Sequence, residues 1–409
     1  MNRSIFRIYI KPFLDSGVYG DWINVSKDVV FSSIKSIKQD LDNTEYDIGI
    51  FRTSSVSFTL RNNHGNYSDT NILQSIFRYK RAESLVKITW TIDDEQPICG
   101  SAYVGDCYLF DDEEIEVFKG LLSDESSNTN IDTLLISFNV IGLDSLLARE
   151  SVPFSSISAG NTVEAILFAC LNQAKITSLL TVSAANISTS VNSITDVITT
   201  LQGKTVLEAV KELLKISNSV LYILNDTIFI KPRTPTASVI YNFFGQASIA
   251  GIENVENITG VKTGSQRIFN YVNWKDTSTI RTDSASIALW GVKKKEFDSG
   301  IITNTTRRQT ILDAVLEEFK SPQQEFTIQT PLTIETIQLT LLDRVVIDYP
   351  IQFVETENPL PICGAAICGE AVLPAGIWAF LIPDTDNYKI MNKQIDIAGG
   401  KVILGLRKV

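Results

Sequence analysis

Residues 86–92 alternate strictly: Val86, Ile88, Trp90 and Ile92 are apolar, while Lys87, Thr89 and Thr91 between them are polar. A period of two puts successive side chains on opposite faces of an extended strand, so this stretch commits one face to a core. Val56-Phe58-Leu60 and Ile136-Phe138-Val140 repeat the pattern, and Met1 to Ile10 alternates in the same way. Ser219 to Lys231 reads as a hairpin turning at Asn225-Asp226, and Lys389 to Arg407 as another turning at Gly399-Gly400. Such residue pairs accept the left-handed conformations that tight hairpin turns demand. Half-buried strands cannot stand alone, and many short ones separated by turn residues predict barrels or sandwiches.

Against this background three helices stand out. Asn161 precedes an apolar stripe of Val163, Ile166, Leu167, Cys170, Leu171 and Ala174, and Glu164 three positions on completes a capping-box pattern. Thr205 and Glu208 repeat that arrangement ahead of Leu207, Val210, Leu213 and Leu214. A third helix is expected to start near Asn304–Thr306, to bury Ile311, Leu312, Val315, Leu316 and Phe319, and to stop before Pro322.

The predicted fold class is therefore mainly β with a small α/β part, two β-barrel-like domains flanking an α/β domain. The boundaries read as 1–150 for the first barrel-like block, 151–235 for the α/β block, and 236–409 for the second barrel-like block with its C-terminal hairpin. Ser151–Gly160 and the two-proline segment Pro232–Thr236 are the candidate linkers. A length of 409 residues fits about two or three domains. No apolar run reaches the ~20 residues that cross a bilayer, and the N-terminal residues lack a signal-peptide core, which predicts assembly in a cytoplasm.

Chemistry is scarce. A formal net charge of −11 argues against phosphate-backbone binding as a main function. The basic clusters Arg78–Arg81 and Lys293–Lys295 read as solvated strand ends. The single histidine, His64, sits in a Gly/Asn-rich turn with no candidate nucleophile beside it, so no triad is expected. Cys99 and Cys107 are separated by seven residues and Cys363 and Cys368 by four, a poor match to structural zinc spacings; with Cys170 on a helix stripe, all five read as reduced thiols. Asp111–Glu114 reads as a solvated acidic loop that discourages edge pairing. Gly203-Lys204-Thr205 lacks the earlier glycine of a phosphate loop, Ile198 standing in its place, and Asp384-Thr-Asp386 lacks the rest of a calcium loop. The expectation is a chain with no catalytic, cofactor-binding or metal residues, and not an enzyme.

One internal echo crosses the blocks. Pro97 to Asp106 (PICGSAYVGD) matches Pro361 to Glu370 (PICGAAICGE) at seven of ten positions when Asp and Glu are equated, which suggests similar loops in the two barrel-like blocks.

The order of these segments resembles that of bacteriophage tail-hub, or baseplate-hub, proteins. The resemblance rests on Val30 to Asp42 (VFSSIKSIKQDLD), Tyr46 to Phe51, Ser57 to Asn62, Gly65 to Ser68, Phe118-Lys-Gly120 and Phe138 to Leu143 in the first block. In the remainder it rests on the Thr205–Asn218 helix with its hairpin, Asp283 to Gly291, Lys320-Ser-Pro322, Leu341 to Ile347, and the closing hairpin from Tyr388 to Arg407. It implies a homotrimer whose paired barrels encircle a pore, matching a hexameric tail tube or distal-tail ring above and a three-fold spike or fibre below. The implied partners are further copies of the chain, those tail proteins and the tape-measure protein, with DNA only in transit. The implied location is the virion tail tip, assembled in the host cytoplasm. Because domains in such proteins are discontinuous, the Ser219–Lys231 hairpin is expected to return to the first barrel. The alternatives are a distal-tail ring protein, or a carbohydrate- or receptor-binding module using Trp22, Trp274 or Trp290 as stacking platforms.

Overall fold

The computed structural model describes residues 3–14, 18–34, 36–41, 49–53, 55–68, 75–77, 80–93, 114–123, 128–130, 134–153, 155–233, 238–245, 253–263, 268–275, 277–322, 324–348 and 387–409. Cys99, Cys107, Cys363, Cys368, both copies of the echoed loop, Arg78, Asp111–Glu113 and Asp384–Asp386 lie outside them.

The first block contributes β1 (Arg3–Phe13), β2 (Ile23–Asn24), β3 (Ile37–Leu41), β4 (Gly49–Thr53), β5 (Val56–Arg61), β6 (Lys80–Asp93), β7 (Ile115–Leu122), β8 (Asn128–Asn130) and β9 (Leu135–Gly142). The middle block holds α1 (Val163–Leu171), α2 (Ala174–Thr177), α3 (Val206–Ser217), β10 (Ser219–Leu224) and β11 (Thr227–Pro232). The last block begins with β12 (Tyr241–Phe244), β13 (Asn257–Thr263), β14 (Tyr271–Trp274), β15 (Ile280–Thr282), α4 (Ser284–Trp290) and β16 (Lys294–Phe297). It ends with α5 (Thr305–Phe319), β17 (Gln324–Pro331), α6 (Ile334–Gln338), β18 (Arg344–Asp348), β19 (Asn387–Asp396) and β20 (Lys401–Lys408).

The fold is mainly β, organised around two curled half-barrel sheets with a few helices. One sheet runs β2-β1-β6-β7-β9-β5, with β8 beside β9. The other runs β11-β10-β4-β3-β19-β20-β17-β13, with β18 joining β19 and β12 joining β18. These sheets draw strands from across the sequence blocks. β3 and β4 leave the first sheet to lie between β10 and β19, Ile37 facing Ile395 and Ile50 facing Leu221 in register. The chain changes sheets between Thr53 and Val56, where β4 ends and β5 begins. The Ser219–Lys231 hairpin thus pairs with a first-block strand, in parallel, but within the second sheet. Its turn is as read: Asn225 and Asp226 have φ of 46° and 60°.

Two hydrophobic cores result. One fills the curled sheets, with Ile8, Phe58, Ile88, Trp90 and Phe138 from the first and Phe243, Phe326, Val345, Tyr388 and Leu404 from the second. Phe58 and Phe138 are direct cross-strand partners with ring centroids 5.6 Å apart. The other core gathers α1, α3, α5 and the small sheet β15-β14-β16 through Leu167, Val210, Leu213, Trp274, Phe297 and Ile311. β10 is the shared wall: Val220 and Tyr222 face the first core, Leu221 the second. β6 departs from the half-buried expectation, at Leu85 for the same reason. Leu85 on its outer face belongs to the helical core, and Thr89 and Thr91 are buried as well.

Candidate functional site: a buried ionic node and the exposed surface

Among the described residues, a buried polar cluster joins the ends of four elements, α3, β11, α5 and β19. α3 ends at Asn218, whose left-handed backbone (φ 48°) turns the chain into β10. Arg233 follows the end of β11, Glu318 lies near the end of α5, and Lys389 sits on β19. The Arg233 Nε lies 2.7 Å and the Lys389 Nζ 3.1 Å from Glu318 Oε1, and Asn218 Nδ2 donates to Glu318 Oε2 at 2.9 Å. Lys389 also donates to the Arg233 carbonyl at 3.2 Å, and the guanidinium lies 4.7 Å from the Phe319 ring centroid. Burial opposes charge on Glu318, yet the two cations hold its carboxyl down to about 2. Burial pulls Lys389 down to about 8 against the attraction of Glu318. With two cations sharing one carboxylate, the node binds the helical core to the second sheet.

A second buried cation stands a short way along β19. Lys393 Nζ donates to the carbonyls of Ile337 and Leu339 at 2.5 and 2.7 Å, and burial lowers it to about 8 although Asp343 favours its charge. On the first sheet, Glu114 corrects the acidic-loop expectation. It accepts from Arg7, from the Tyr9 hydroxyl at 2.6 Å and from Thr89 Oγ1 at 2.8 Å. Burial raises its pKa, but these donors outweigh burial and leave the carboxyl below its ordinary value.

Other sequence readings resolve locally. Thr162, not Asn161, caps α1, its hydroxyl accepting from the Ala165 amide at 3.3 Å. Glu164 instead reaches Thr189 N and Oγ1 at 2.8 and 2.9 Å and Asn192 Nδ2 at 2.9 Å, clasping the 189–192 segment to the helix. Ala174 starts the separate helix α2. Thr205 and Glu208 form the expected capping box, and Lys204 pairs with Glu212 at 2.9 Å. Asn304 caps α5 as read. Cys170 is fully buried, and burial pushes its thiol up to about 12. His64 is exposed in its turn.

The tryptophans divide. Trp274 is buried in the helical core, which removes it as a stacking platform. Trp22 is half-buried with the ammonium groups of Lys11, Lys87 and Lys119 at 5.8, 5.0 and 5.7 Å from its ring. Those long stems and cations occupy the ring face that a sugar would need. Trp290 alone of the three is exposed, at 39%, beside Leu289 at 77% and Val292 at 63%.

Enclosed space is small between the sheets. A cleft at Gln39, Glu116, Lys119 and Asp226 holds about 50 Å³, and another at Tyr222, Thr340 and Lys393 about 40 Å³. Each has room for a water or two, well short of the ~300 Å³ of a typical ligand pocket. Among the described residues, no group of three or more His, Cys, Asp or Glu side chains is placed to hold a metal ion. No helix among them is long and apolar enough to cross a membrane.

No protein-family model and no curated protein sequence matches the chain. Its fold, however, is one found in phage tail proteins. Over 99% of the chain it superimposes on 96% of a tail protein from Neisseria meningitidis MC58, with a TM-score of 0.55 at 11% identity. A 43 kDa tail protein of prophage MuSo2 from Shewanella oneidensis gives 0.52 at 13% identity, covering 98% of this chain and 96% of that one. The prophage tail protein gp18 from Listeria monocytogenes EGD-e gives 0.50 at 12% identity, covering 98% and 94%. The agreement extends over nearly the whole of each chain, so it concerns the arrangement of both sheets and the helical core together.

Proposed function

We propose that this chain is a structural, non-enzymatic component of a phage tail tip: a baseplate or tail hub in the virion, linking the hexameric tail tube to a three-fold central spike or fibre. The observation that carries this reading is the pairing of two curled sheets in one chain, in an arrangement shared end to end with phage tail proteins. Three copies would present two curled sheets each, giving a six-fold pseudo-symmetric surface toward the tube and a three-fold one toward the spike. The tube or a distal-tail ring protein, the spike or fibre, and the tape-measure protein would be its neighbours, with DNA passing through the central channel. The blocks 1–150, 151–235 and 236–409 interleave in the sheets, so the two curled sheets, not the blocks, are the units that would repeat around the axis, and host-cytoplasmic assembly belongs to the same reading. The use of buried charges to lock the helical core to the second sheet supports a structural role.

Light scattering on the purified chain tests this. A trimer is expected; a hexamer would favour a distal-tail ring, and a monomer at the highest soluble concentration would count against both.

A further inference from the structure

Asn218 does more than end α3. Its left-handed backbone is one that glycine or asparagine accepts at a helix end, and its backbone amide closes the helix on the Leu214 carbonyl. That turn does not need the side chain. Yet the residue is 2% exposed, and its Nδ2 is directed to Glu318 Oε2. The amide oxygen, Oδ1, is buried and accepts no hydrogen bond among the described residues, a costly state for a carbonyl.

Lys389 reaches the same spot by two routes. Its Nζ donates at 3.1 Å to Glu318 Oε1, on the carboxylate whose other oxygen holds Asn218, and at 3.2 Å to the Arg233 carbonyl. Arg233 in turn donates its backbone amide to the Asn218 carbonyl at 3.3 Å. Both groups that hold the amine therefore also hold Asn218, which sets the amine beside the side-chain amide. A neutral amine has two N–H donors, and these two bonds use both, leaving its lone pair unspent. Burial and the charges of Arg233 and of Arg407, its partner across the ladder, disfavour the ammonium form against the pull of Glu318. Arg233 does not lose its proton, and the two cations keep Glu318 ionised, so Lys389 is the member of the node that gives up its charge. A desolvated lysine beside another cation is an activated nucleophile.

We infer that Lys389 and Asn218 become joined by an intramolecular amide bond, an isopeptide, with Glu318 carrying the proton between them. The Nζ lone pair attacks Asn218 Cγ, and Glu318 takes one proton from the attacking amine as the C–N bond forms. Glu318 then returns a proton to Nδ2, the Cγ–Nδ2 bond breaks, and ammonia leaves. The products are a secondary amide and ammonia, with Glu318 again a carboxylate. No oxidant, reductant or further reactant enters. Holding amine, amide and carboxylate in one buried site replaces the encounter that makes such a reaction slow in solution. The bond would tie the α3–β10 turn to β19 and close a long loop of chain, constraining the unfolded state as a disulfide does but without using a thiol. It acts within one chain and stands apart from the tail-hub reading.

The intact mass of the purified, folded chain tests this, after incubation above the lysine's value of about 8. The expected mass is one ammonia below that of the sequence, and proteolysis should release a branched peptide joining the segments that carry Asn218 and Lys389. The full sequence mass would overturn the bond. So would loss of ammonia without the branch, which is a cyclic imide at Asn218, or loss of water with a branch between Glu318 and Lys389. Glu318→Gln tests the proton carrier: joining should slow by about a hundredfold in a variant whose near-ultraviolet circular dichroism matches the wild type. An undiminished rate would remove Glu318 from the step. The wild-type mass and peptide map decide the bond itself whether or not that variant folds.

Discussion

Glu318 and Lys389 meet at 3.1 Å with side chains 5% and 2% exposed, so a helix of the helical core and a strand of the second sheet share one desolvated ion pair. Arg233 adds a second cation to the same oxygen. Replacing Glu318 with Gln keeps the shape and removes the anion that Arg233 and Lys389 share. Both buried cations then lose this shared counter-charge, and stability should fall by about 3–5 kcal/mol. Urea unfolding measures this. A midpoint shift of the size seen for an exposed pair would show that the node holds nothing together.

Lys393 makes a prediction about pH. Its folded pKa is about 8 and its unfolded value about 10.5, so between those values the unfolded chain binds the extra proton. Stability from this group therefore rises as pH increases through that window, and is lost as pH falls back through 8. Cys170 acts in the opposite direction above pH 9, because burial keeps its proton on in the folded state. The difference between wild type and Lys393→Met isolates the lysine: wild type should gain on the variant from pH 8 to 10.5, by about 1.4 kcal/mol per pKa unit of the shift. A constant difference across that range would mean that Lys393 is not desolvated as its two carbonyl partners indicate.

Much of this architecture was legible in periodicity and some of it could not have been. The alternation of Val56–Leu60, Ile136–Val140 and the inner face of β6, and the hairpin turns at Asn225-Asp226 and Gly399-Gly400, are local properties that reappear as read. Strand partnership is not local. Nothing in the spacing of Ile37–Leu41 says that it will lie against β19, more than 350 residues later in the chain. At Leu85 the outer face of β6 reads as solvent-facing because its cover, the helical core, comes from elsewhere in the chain. The node was invisible for the same reason: Arg233, Glu318 and Lys389 are ordinary charges until three segments converge. α4 is too short, at seven residues, for a 3.6-residue stripe to declare itself, although Asp283 ahead of Ser286 is a capping signal.

Gly120 belongs to the Phe-x-Gly segment of β7, and its lack of a side chain has a steric cause. A Cβ there would lie 2.4 Å from the Ile141 carbonyl oxygen and 2.8 Å from Val140 Cγ1. Ile141 is on the paired strand β9, so its backbone cannot yield without breaking the ladder. Gly120→Ala should cost about 1–3 kcal/mol through overpacking. Gly405 on β20 is the comparison: its Cβ would meet the Asn392 side chain, which can rotate away, so Gly405→Ala should cost less. Equal unfolding midpoints for the two variants would contradict this account.

The helix caps separate what the sequence pattern suggests from what the fold uses. Thr205→Ala removes the hydroxyl half of a capping box, since the hydroxyl accepts from the Glu208 amide and donates to Glu208 Oε2, while the residue-205 amide keeps its own bond to Glu208 Oε2. A loss of about 1 kcal/mol is expected. At α1 the same loss should follow from Thr162→Ala, whose hydroxyl is the cap, and not from Asn161→Ala. The Asn161 side chain donates only to Ser158 Oγ in an exposed turn at 3.0 Å, so its removal should stay within about 0.5 kcal/mol. Glu164→Gln probes the other half of the displaced box. Its carboxylate holds Thr189 and Asn192 rather than the cap residue, so the change should loosen the 189–192 segment without unravelling α1. Amide hydrogen exchange distinguishes the two: faster exchange at the Thr189 amide with unchanged protection at Ala169 and Cys170 is the expected pattern, and fraying that starts at Ala165 would return the cap to the Asn161–Glu164 pair.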